Sequence, residues 1–120
     1  MTRSDVAIHR VAATVVVRLL LAHDQTLFRA GFAVLLAVDP LIELVGQAFA
    51  GADAVIQAEK LRPDVILMDL KMPNVDGIEA TRQIIASNPD ARVLILTTFE
   101  TDNHVIQALK AGASGYVLKD

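Results

Sequence analysis

Short apolar runs alternate along the chain with segments whose apolar residues recur at helical spacing. Apolar runs of roughly four to eight residues, rich in β-branched side chains and leucine, are typical of strands that are buried on both faces of a sheet. The pattern therefore predicts strands at Val15 to Ala22, Ile42 to Ala48, Val65 to Met68, Arg92 to Thr97 and Gly115 to Leu118.

Helices are predicted between these strands. The first has an apolar face that consists of Phe28, Gly31, Phe32, Leu35 and Leu36. The others span Gly51 to Leu61, Gly77 to Ser87 and Asp102 to Ala111. A proline follows each of the first three helices and Gly112 follows the fourth. Both residue types end helices, because proline disfavours a helical residue before it and glycine readily adopts a left-handed conformation.

Strict alternation of strands and helices favours an α/β fold, a doubly wound five-stranded parallel sheet with helices on both faces. Residues 1–13 show no clear period and are expected to be a flexible extension before a domain that spans residues 14–120. A fifth helix, which normally follows a fifth strand, is missing from the sequence, so we expect the chain to be part of a longer one. The uncovered flank of the sheet favours self-association or low stability.

Composition excludes several classes of protein. Apolar residues make up 53% of the 120 residues, aromatic residues make up 4%, and the formal charge is −3. Lysine and arginine form no cluster, which argues against direct binding of nucleic acid. The absence of cysteine excludes disulfides and thiolate chemistry and fits a reducing cytosol. Every apolar run is well short of the roughly 20 residues that a membrane-spanning helix needs.

Chemistry-bearing residues follow the predicted strands at their carboxyl ends, where open parallel sheets bind ligands. These residues are His23, Asp24, Asp69, Thr97, Thr98, Lys119 and Asp120. Two carboxylates suit Mg²⁺, a lysine and a hydroxyl suit phosphoryl oxygens, and a carboxylate can itself attack phosphorus to form an acyl phosphate. Each residue alone could serve as a turn, cap or surface residue. The functional interpretation therefore depends on their meeting at one edge of the sheet.

Three stretches of the sequence resemble the receiver domains of bacterial response regulators. They are residues 69–77 (DLKMPNVDG), which match the D-x-x-M-P-x-x-D-G signature, residues 96–99 (LTTF) and residues 110–120 (KAGASGYVLKD). Together with residues 29–31 (RAG), they make the chain most similar to regulators of the NarL/LuxR type, which carry a C-terminal helix-turn-helix domain. The resemblance covers residues 15–120 and implies the flavodoxin-like strand order 2-1-3-4-5.

The resemblance implies a role for each matching residue of the site. Asp69 is the phosphoacceptor, and Mg²⁺ is held by Asp24, by Asp69 and by the main-chain carbonyl of Lys71. Lys119 pairs with the phosphoryl oxygens, and the hydroxyl of Thr97 closes on them after transfer. These roles agree with the chemistry of the residues, since a metal ion and an ammonium group neutralise the charge of a transferring phosphoryl group.

The implied function is a phosphorylation-dependent switch, not a turnover enzyme. A sensor histidine kinase donates the phosphoryl group. Thr97 and Tyr116 then change conformation together and transmit the signal. Alternatively, Tyr116 has no signalling role and only occupies a position on the edge strand, with its hydroxyl group in water. Pro73 and Gly77 are expected to shape the loop, and Asp76 to cap the following helix. The protein is expected to be cytoplasmic, to form a homodimer, to contact no membrane, and to contact DNA only through an output domain that this chain lacks.

The chain departs from the family pattern at His23, where receivers usually have an acid before Asp24. The lost charge predicts weaker Mg²⁺ binding, which worsens below about pH 6.5, the ordinary histidine pKa. Because Mg²⁺ prefers oxygen, His23 is expected to lie beside the ligands rather than to ligate the ion. Lys119 is followed by Asp120 where some receivers have proline, so no cis peptide bond is expected there.

Three alternative functions remain open from the sequence. A degenerate receiver, acting as a phosphorylation-independent dimerisation or ligand-responsive module, is favoured only by His23. A magnesium-dependent phosphatase of the haloacid-dehalogenase type needs a second acid two residues after the nucleophile, where Lys71 stands. A flavodoxin-like nucleotide-binding domain needs a phosphate-binding loop after the first strand, where Asp24 places an acid.

Overall fold

The computed structural model describes residues 16–72, 75–97 and 102–118, apart from the side chains of residues 97, 102 and 118. The strands are β1 (Val17–Ala22), β2 (Ile42–Ala48), β3 (Val65–Asp69), β4 (Arg92–Thr97) and β5 (Gly115–Leu118), and the helices are α1 (Thr26–Ala37), α2 (Gly51–Leu61), α3 (Gly77–Ser87) and α4 (Asp102–Lys110). The predicted extension, residues 1–13, lies outside the described residues, as do Pro73, Thr98, Lys119 and Asp120.

All five strands are parallel and are ordered β2-β1-β3-β4-β5. In β1, Leu20 pairs with Gly46 of β2 on one side and with Ile66 of β3 on the other. The chain runs from β1 outward to β2 and then returns to β3. This reversal creates a switch point between β1 and β3, where such sheets bind ligands beyond the carboxyl ends of the strands. The predicted fold and strand order are confirmed.

The predicted bounds agree with the structure for β2, β4, β5, α2 and α3. Arg62 ends α2, as expected, in the left-handed conformation with φ of 47°, and Gly112 lies just beyond α4 with φ of 116°. α4 ends at Lys110, one residue earlier than predicted, and β3 extends to include Asp69. None of the helices in the described ranges has both the length and the apolar character that crossing a lipid bilayer requires.

The two faces of the sheet carry separate clusters of buried side chains, because successive residues of a strand point to opposite faces. On one face Leu20, Ile66 and Ile95 are buried beneath α2, α3 and α4. On the other face Leu21 and Leu67 pack against α1. Full burial of one such side chain contributes roughly 1.5–3 kcal/mol. The described residues place three helices on one face and one on the other, in agreement with the predicted absence of a fifth helix.

α1 contacts the sheet along a narrow row of side chains. Phe28, Phe32 and Leu36 pack against the sheet as predicted, and they are spaced four residues apart. Leu35, however, is 69% exposed, and Gly31 is exposed as well. Only part of the predicted apolar face is therefore buried, because a single helix lying on a sheet buries only the side chains that point directly at it.

Candidate metal centre

Two neighbouring strands bring three chemistry-bearing side chains together at their carboxyl ends. Asp69 is the last residue of β3, and His23 and Asp24 directly follow β1, which pairs with β3. One ligand atom from each of the three residues lies within 4.8 Å of the other two. The structure therefore brings the two predicted metal-binding acids together and adds the imidazole to the same cluster.

The imidazole of His23 is buried and has a defined orientation, with only 1% of the residue exposed. Its Nδ1 accepts a hydrogen bond from the backbone N–H of Gln25 at 3.1 Å, and its Nε2 lies 3.5 Å from Oδ2 of Asp69. The ring stacks on Phe28, with 4.0 Å between the ring centroids and 12° between the ring planes. Because a neutral imidazole carries one proton, acceptance at Nδ1 places that proton on Nε2, facing Asp69.

The two carboxylates of the cluster differ in their exposure. The side chain of Asp69 is 4% exposed, whereas that of Asp24 is 41% exposed. Oδ1 of Asp24 lies 3.7 Å from Nδ1 of His23, so each ring nitrogen has one acid nearby. The cluster thus opens to solvent on the side of Asp24, from which an ion or a phosphodonor can approach the buried acid.

Arg29 fixes the turn between β1 and α1, a role that the sequence analysis missed. Its Nη1 donates a hydrogen bond to the backbone carbonyl of His23 at 2.6 Å, and its Nη2 donates one to Oγ1 of Thr26 at 3.3 Å. A hydrogen bond with a charged partner contributes roughly 1.5–3 kcal/mol. Arg29 therefore orients the backbone that carries His23 and Asp24. In the sequence, Arg29 stands in the RAG stretch and in the first turn of a helix, and neither position indicates a contact with His23.

The first residue of α3, Gly77, comes very close to the backbone of Asp69. The backbone N–H of Gly77 donates a hydrogen bond to the carbonyl of Leu70 at 2.9 Å, and a Cβ atom on Gly77 would lie 2.3 Å from the carbonyl oxygen of Asp69. Only glycine fits such an approach. Asp76 accepts a hydrogen bond from the backbone N–H of Glu79 at 2.9 Å, which confirms that it caps α3. Gly77 and the capped start of α3 together hold the backbone of Asp69 in place.

The other predicted site residues are described only in part. Thr97 ends β4, which places its backbone at the same carboxyl edge, but its side chain lies outside the described part of the chain. Lys119 lies outside it entirely. Lys71, two residues after Asp69, is exposed, and Tyr116 is 53% exposed on the edge strand β5. The roles given to these four residues stay predictions.

The donors of the cluster suit a divalent cation. Mg²⁺ keeps several waters and takes one or two carboxylates from the protein. Asp24 and Asp69 provide two carboxylates from adjacent strands, one accessible to water and one shielded from it. The residues present therefore fit the predicted ion.

Known proteins with sequences similar to this chain are response regulators. The sequence model of the response regulator receiver domain matches residues 19–120. The transcriptional regulatory protein DegU of Brevibacillus brevis is 44% identical over 104 residues, which are 87% of this chain and 44% of DegU. The transcriptional regulatory protein LiaR of Bacillus subtilis (strain 168) is 45% identical over 103 residues, which are 86% of this chain and 49% of LiaR. The chain thus spans about half the length of the curated relatives it matches.

Solved structures of receiver domains share the fold. The receiver domain of the putative response regulator NarL from Mycobacterium tuberculosis gives a TM-score of 0.82 at 34% identity, over 88% of this chain and 85% of that one. A LuxR-family two-component response regulator from Aurantimonas sp. SI85-9A1 gives a TM-score of 0.82 at 35% identity, over 88% of this chain and 75% of that one. Fold, sequence and site agree, and the chain belongs to the response regulator receiver domain family, with relatives of the NarL/LuxR type.

Proposed function

We propose that this receiver domain is a phosphorylation-dependent switch in which Asp69 accepts a phosphoryl group from the phosphohistidine of a sensor histidine kinase. The observation that carries the proposal is the position of Asp69, which is buried at the end of β3 beside the exposed Asp24. Receiver domains bind Mg²⁺ at acidic residues, and these two carboxylates provide such a pair.

Phosphoryl transfer to Asp69 forms one bond and breaks another. A carboxylate oxygen attacks phosphorus in line with the leaving nitrogen, so that the O–P bond forms, the P–N bond breaks and the kinase imidazole leaves and takes up a proton. Asp24, Asp69 and the main-chain carbonyl of Lys71 would hold Mg²⁺, which would supply positive charge for the phosphoryl oxygens. Lys119 pairs with the same oxygens and adds a second positive charge.

The burial of Asp69 suits this role. With 4% of its side chain exposed, the carboxylate is shielded from bulk water, which strengthens its interactions with nearby charges. The 41% exposure of Asp24 leaves a route for the phosphodonor. One acid is thus positioned to react, and the other to admit and hold the ion.

The signal leaves the site through Thr97 and Tyr116 in this proposal. A new dianion on Asp69 draws the Thr97 hydroxyl toward it, and the side chain of Tyr116 on the edge strand changes between an outward and an inward orientation in response. The relatives DegU and LiaR are about twice as long and are named transcriptional regulators. We therefore assign residues 14–120 to the receiver of a cytoplasmic, dimeric regulator that acts on DNA through a separate output domain.

Incubation with acetyl phosphate is expected to add the mass of one phosphoryl group to the protein only when Mg²⁺ is present, because the transferring group needs charge neutralisation. Asp69→Asn is expected to abolish the adduct, which intact mass spectrometry measures. Asp90→Asn makes the same change at an exposed aspartate before β4 and serves as the control that keeps the adduct. An adduct that persists in Asp69→Asn, or that forms equally in a chelator, would falsify the proposal.

A phosphorylation-independent receiver is the second candidate, and one observation favours it. The Nε2 atom of His23 lies 3.5 Å from Oδ2 of Asp69, so an imidazole stands where receivers usually place an acid. If folded wild-type protein forms no adduct with acetyl phosphate and none with phosphorylated kinase, this second function replaces the first. Reversion by His23→Asp then shows whether the imidazole is the cause.

A further inference from the structure

We infer that His23 supplies a nitrogen ligand to the metal site of this receiver. The site therefore favours divalent first-row transition ions of the Co²⁺ and Zn²⁺ class over Mg²⁺ more strongly than a site built from carboxylates alone does. The inference rests on the proposed function in one respect, the assignment of Asp24 as a metal-binding carboxylate. It goes beyond that function by naming a nitrogen ligand and the class of ion that this ligand selects.

The cluster offers a mixed set of donors. One imidazole nitrogen and two carboxylate oxygens lie within 4.8 Å of one another. Imidazole nitrogen suits the later first-row ions, whereas carboxylate and water oxygens suit Mg²⁺. Since a neutral imidazole stands where receivers usually place an acid, His23 removes a negative charge that attracts Mg²⁺ and adds a donor that Mg²⁺ uses poorly. Both effects shift the preference of the site in the same direction.

Nδ1 of His23 is the ligating atom in this inference, because its lone pair is on the side of Asp24. The hydrogen bond that it accepts from Gln25 requires an unprotonated Nδ1, and Oδ1 of Asp24 lies 3.7 Å from it. Two ligands of one ion, with bonds of roughly 2.1 Å, are about 3.0–3.5 Å apart. A small movement of the exposed Asp24 side chain meets this spacing, and the hydrogen bond from Gln25 is exchanged for the bond to the metal.

The opposite side of the ring has the arrangement that metal-binding histidines use. Such a histidine donates its other N–H to a carboxylate or carbonyl, which fixes the tautomer and makes the ligating nitrogen more basic. Nε2 of His23 lies 3.5 Å from Oδ2 of Asp69. Asp69 can thus act as this acceptor, while Nδ1 of His23 and the carboxylate of Asp24 hold the ion on the other side of the ring.

The imidazole is held in this orientation before an ion binds. Its ring stacks on Phe28, which in turn stacks on Phe32 with 5.6 Å between centroids. The guanidinium of Arg29 holds the carbonyl of His23 at 2.6 Å. Because the buried ring has little freedom left to lose, it is preorganised as a ligand.

Metal binding without a phosphodonor tests the inference. The metal-free protein is titrated with Co²⁺, followed by its visible d–d absorption, and with Mg²⁺ in competition. The ratio of Co²⁺ affinity to Mg²⁺ affinity is expected to be about 10- to 100-fold higher in wild type than in His23→Asp. His104→Gln removes an exposed imidazole on α4 and is expected to keep the wild-type ratio. Zn²⁺ is expected to displace the bound Co²⁺.

Equal ratios in wild type and His23→Asp overturn the inference, as does loss of Co²⁺ binding in His104→Gln alone. Circular dichroism checks the fold of each variant. If His23→Asp does not fold, His23→Asn takes its place, and the same fall in the ratio is expected.

Phosphorylation by acetyl phosphate in the presence of Mg²⁺ distinguishes a failure of this inference from a failure of the proposed function. An adduct on Asp69 together with equal metal ratios overturns the inference and supports the switch. The expected ratios, with no adduct in wild type or in His23→Asp, support the inference and overturn the switch.

Discussion

Asp24→Asn is expected to lower the affinity for Mg²⁺ at least about tenfold and to slow phosphorylation by acetyl phosphate about 100-fold. Asp24 supplies one of the two carboxylates in the cluster with His23 and Asp69. Its replacement leaves a single acid beside a neutral imidazole, so the ion loses both a ligand and a compensating charge. Isothermal titration calorimetry measures the affinity, and a time course of intact mass measures the rate.

Glu59→Gln is the matched control for this substitution. It also removes one negative charge, but from an exposed position on α2. Both the Mg²⁺ affinity and the rate of adduct formation are expected to stay at their wild-type values. A folded Asp24→Asn protein that behaves in the same way as Glu59→Gln rules out Asp24 as a metal ligand.

Gly77→Ala is expected to lower the free energy of unfolding by about 3 kcal/mol. The added Cβ would lie 2.3 Å from the carbonyl oxygen of Asp69 and 2.7 Å from Cα of Leu70. These neighbours are backbone atoms, which cannot rotate away as the end of a side chain can. The start of α3 or the end of β3 must therefore shift. Chemical denaturation followed by far-UV circular dichroism measures the change.

Gly31→Ala tests whether the effect belongs to the position rather than to the substitution. Among the residues that the structure describes, no atom outside its own helix lies within 4 Å of the Cβ that it would add in the middle of α1. Since alanine favours a helix over glycine, this variant is expected to gain up to about 1 kcal/mol. Equal stabilities of the two variants would show that the described approach of Gly77 to Asp69 is incorrect.

The fold could be predicted from the sequence because its local signals agree with one another. The apolar run from Val65 to Met68 lies between Pro63, which ends a helix, and the acid that ends the strand. Gly112, one residue after the predicted helix, follows α4 with the positive φ that glycine favours. The strand order followed from the resemblance to receivers, since alternation alone leaves several parallel orders open.

The packing of α1 could not be predicted in full. Apolar residues such as Leu35 satisfy the helical spacing as well as Phe32 does, yet Leu35 is 69% exposed. Which apolar residues are buried depends on how many helices share that face of the sheet. Spacing along one helix carries no information about its neighbours in space.

The site could be predicted as a set of residues but not as a geometry. Parallel strands bring their carboxyl ends to one edge, so the meeting of Asp24 and Asp69 follows from the topology. The orientation of His23 depends instead on contacts within the turn after β1, where the Gln25 N–H and the Phe28 ring fix the imidazole. These contacts depend on side-chain conformations that no sequence pattern specifies.

The phosphoacceptor can be identified directly by chemical mapping. The protein is phosphorylated with acetyl phosphate in Mg²⁺ and then reduced with sodium borohydride, which converts an aspartyl phosphate to homoserine. Peptide mass mapping then locates the converted residue. We predict conversion at Asp69 and at no other aspartate. Conversion at Asp24 or at any other aspartate, or none in protein that carries the phosphoryl mass, contradicts the assignment of Asp69 as the residue that receives the signal.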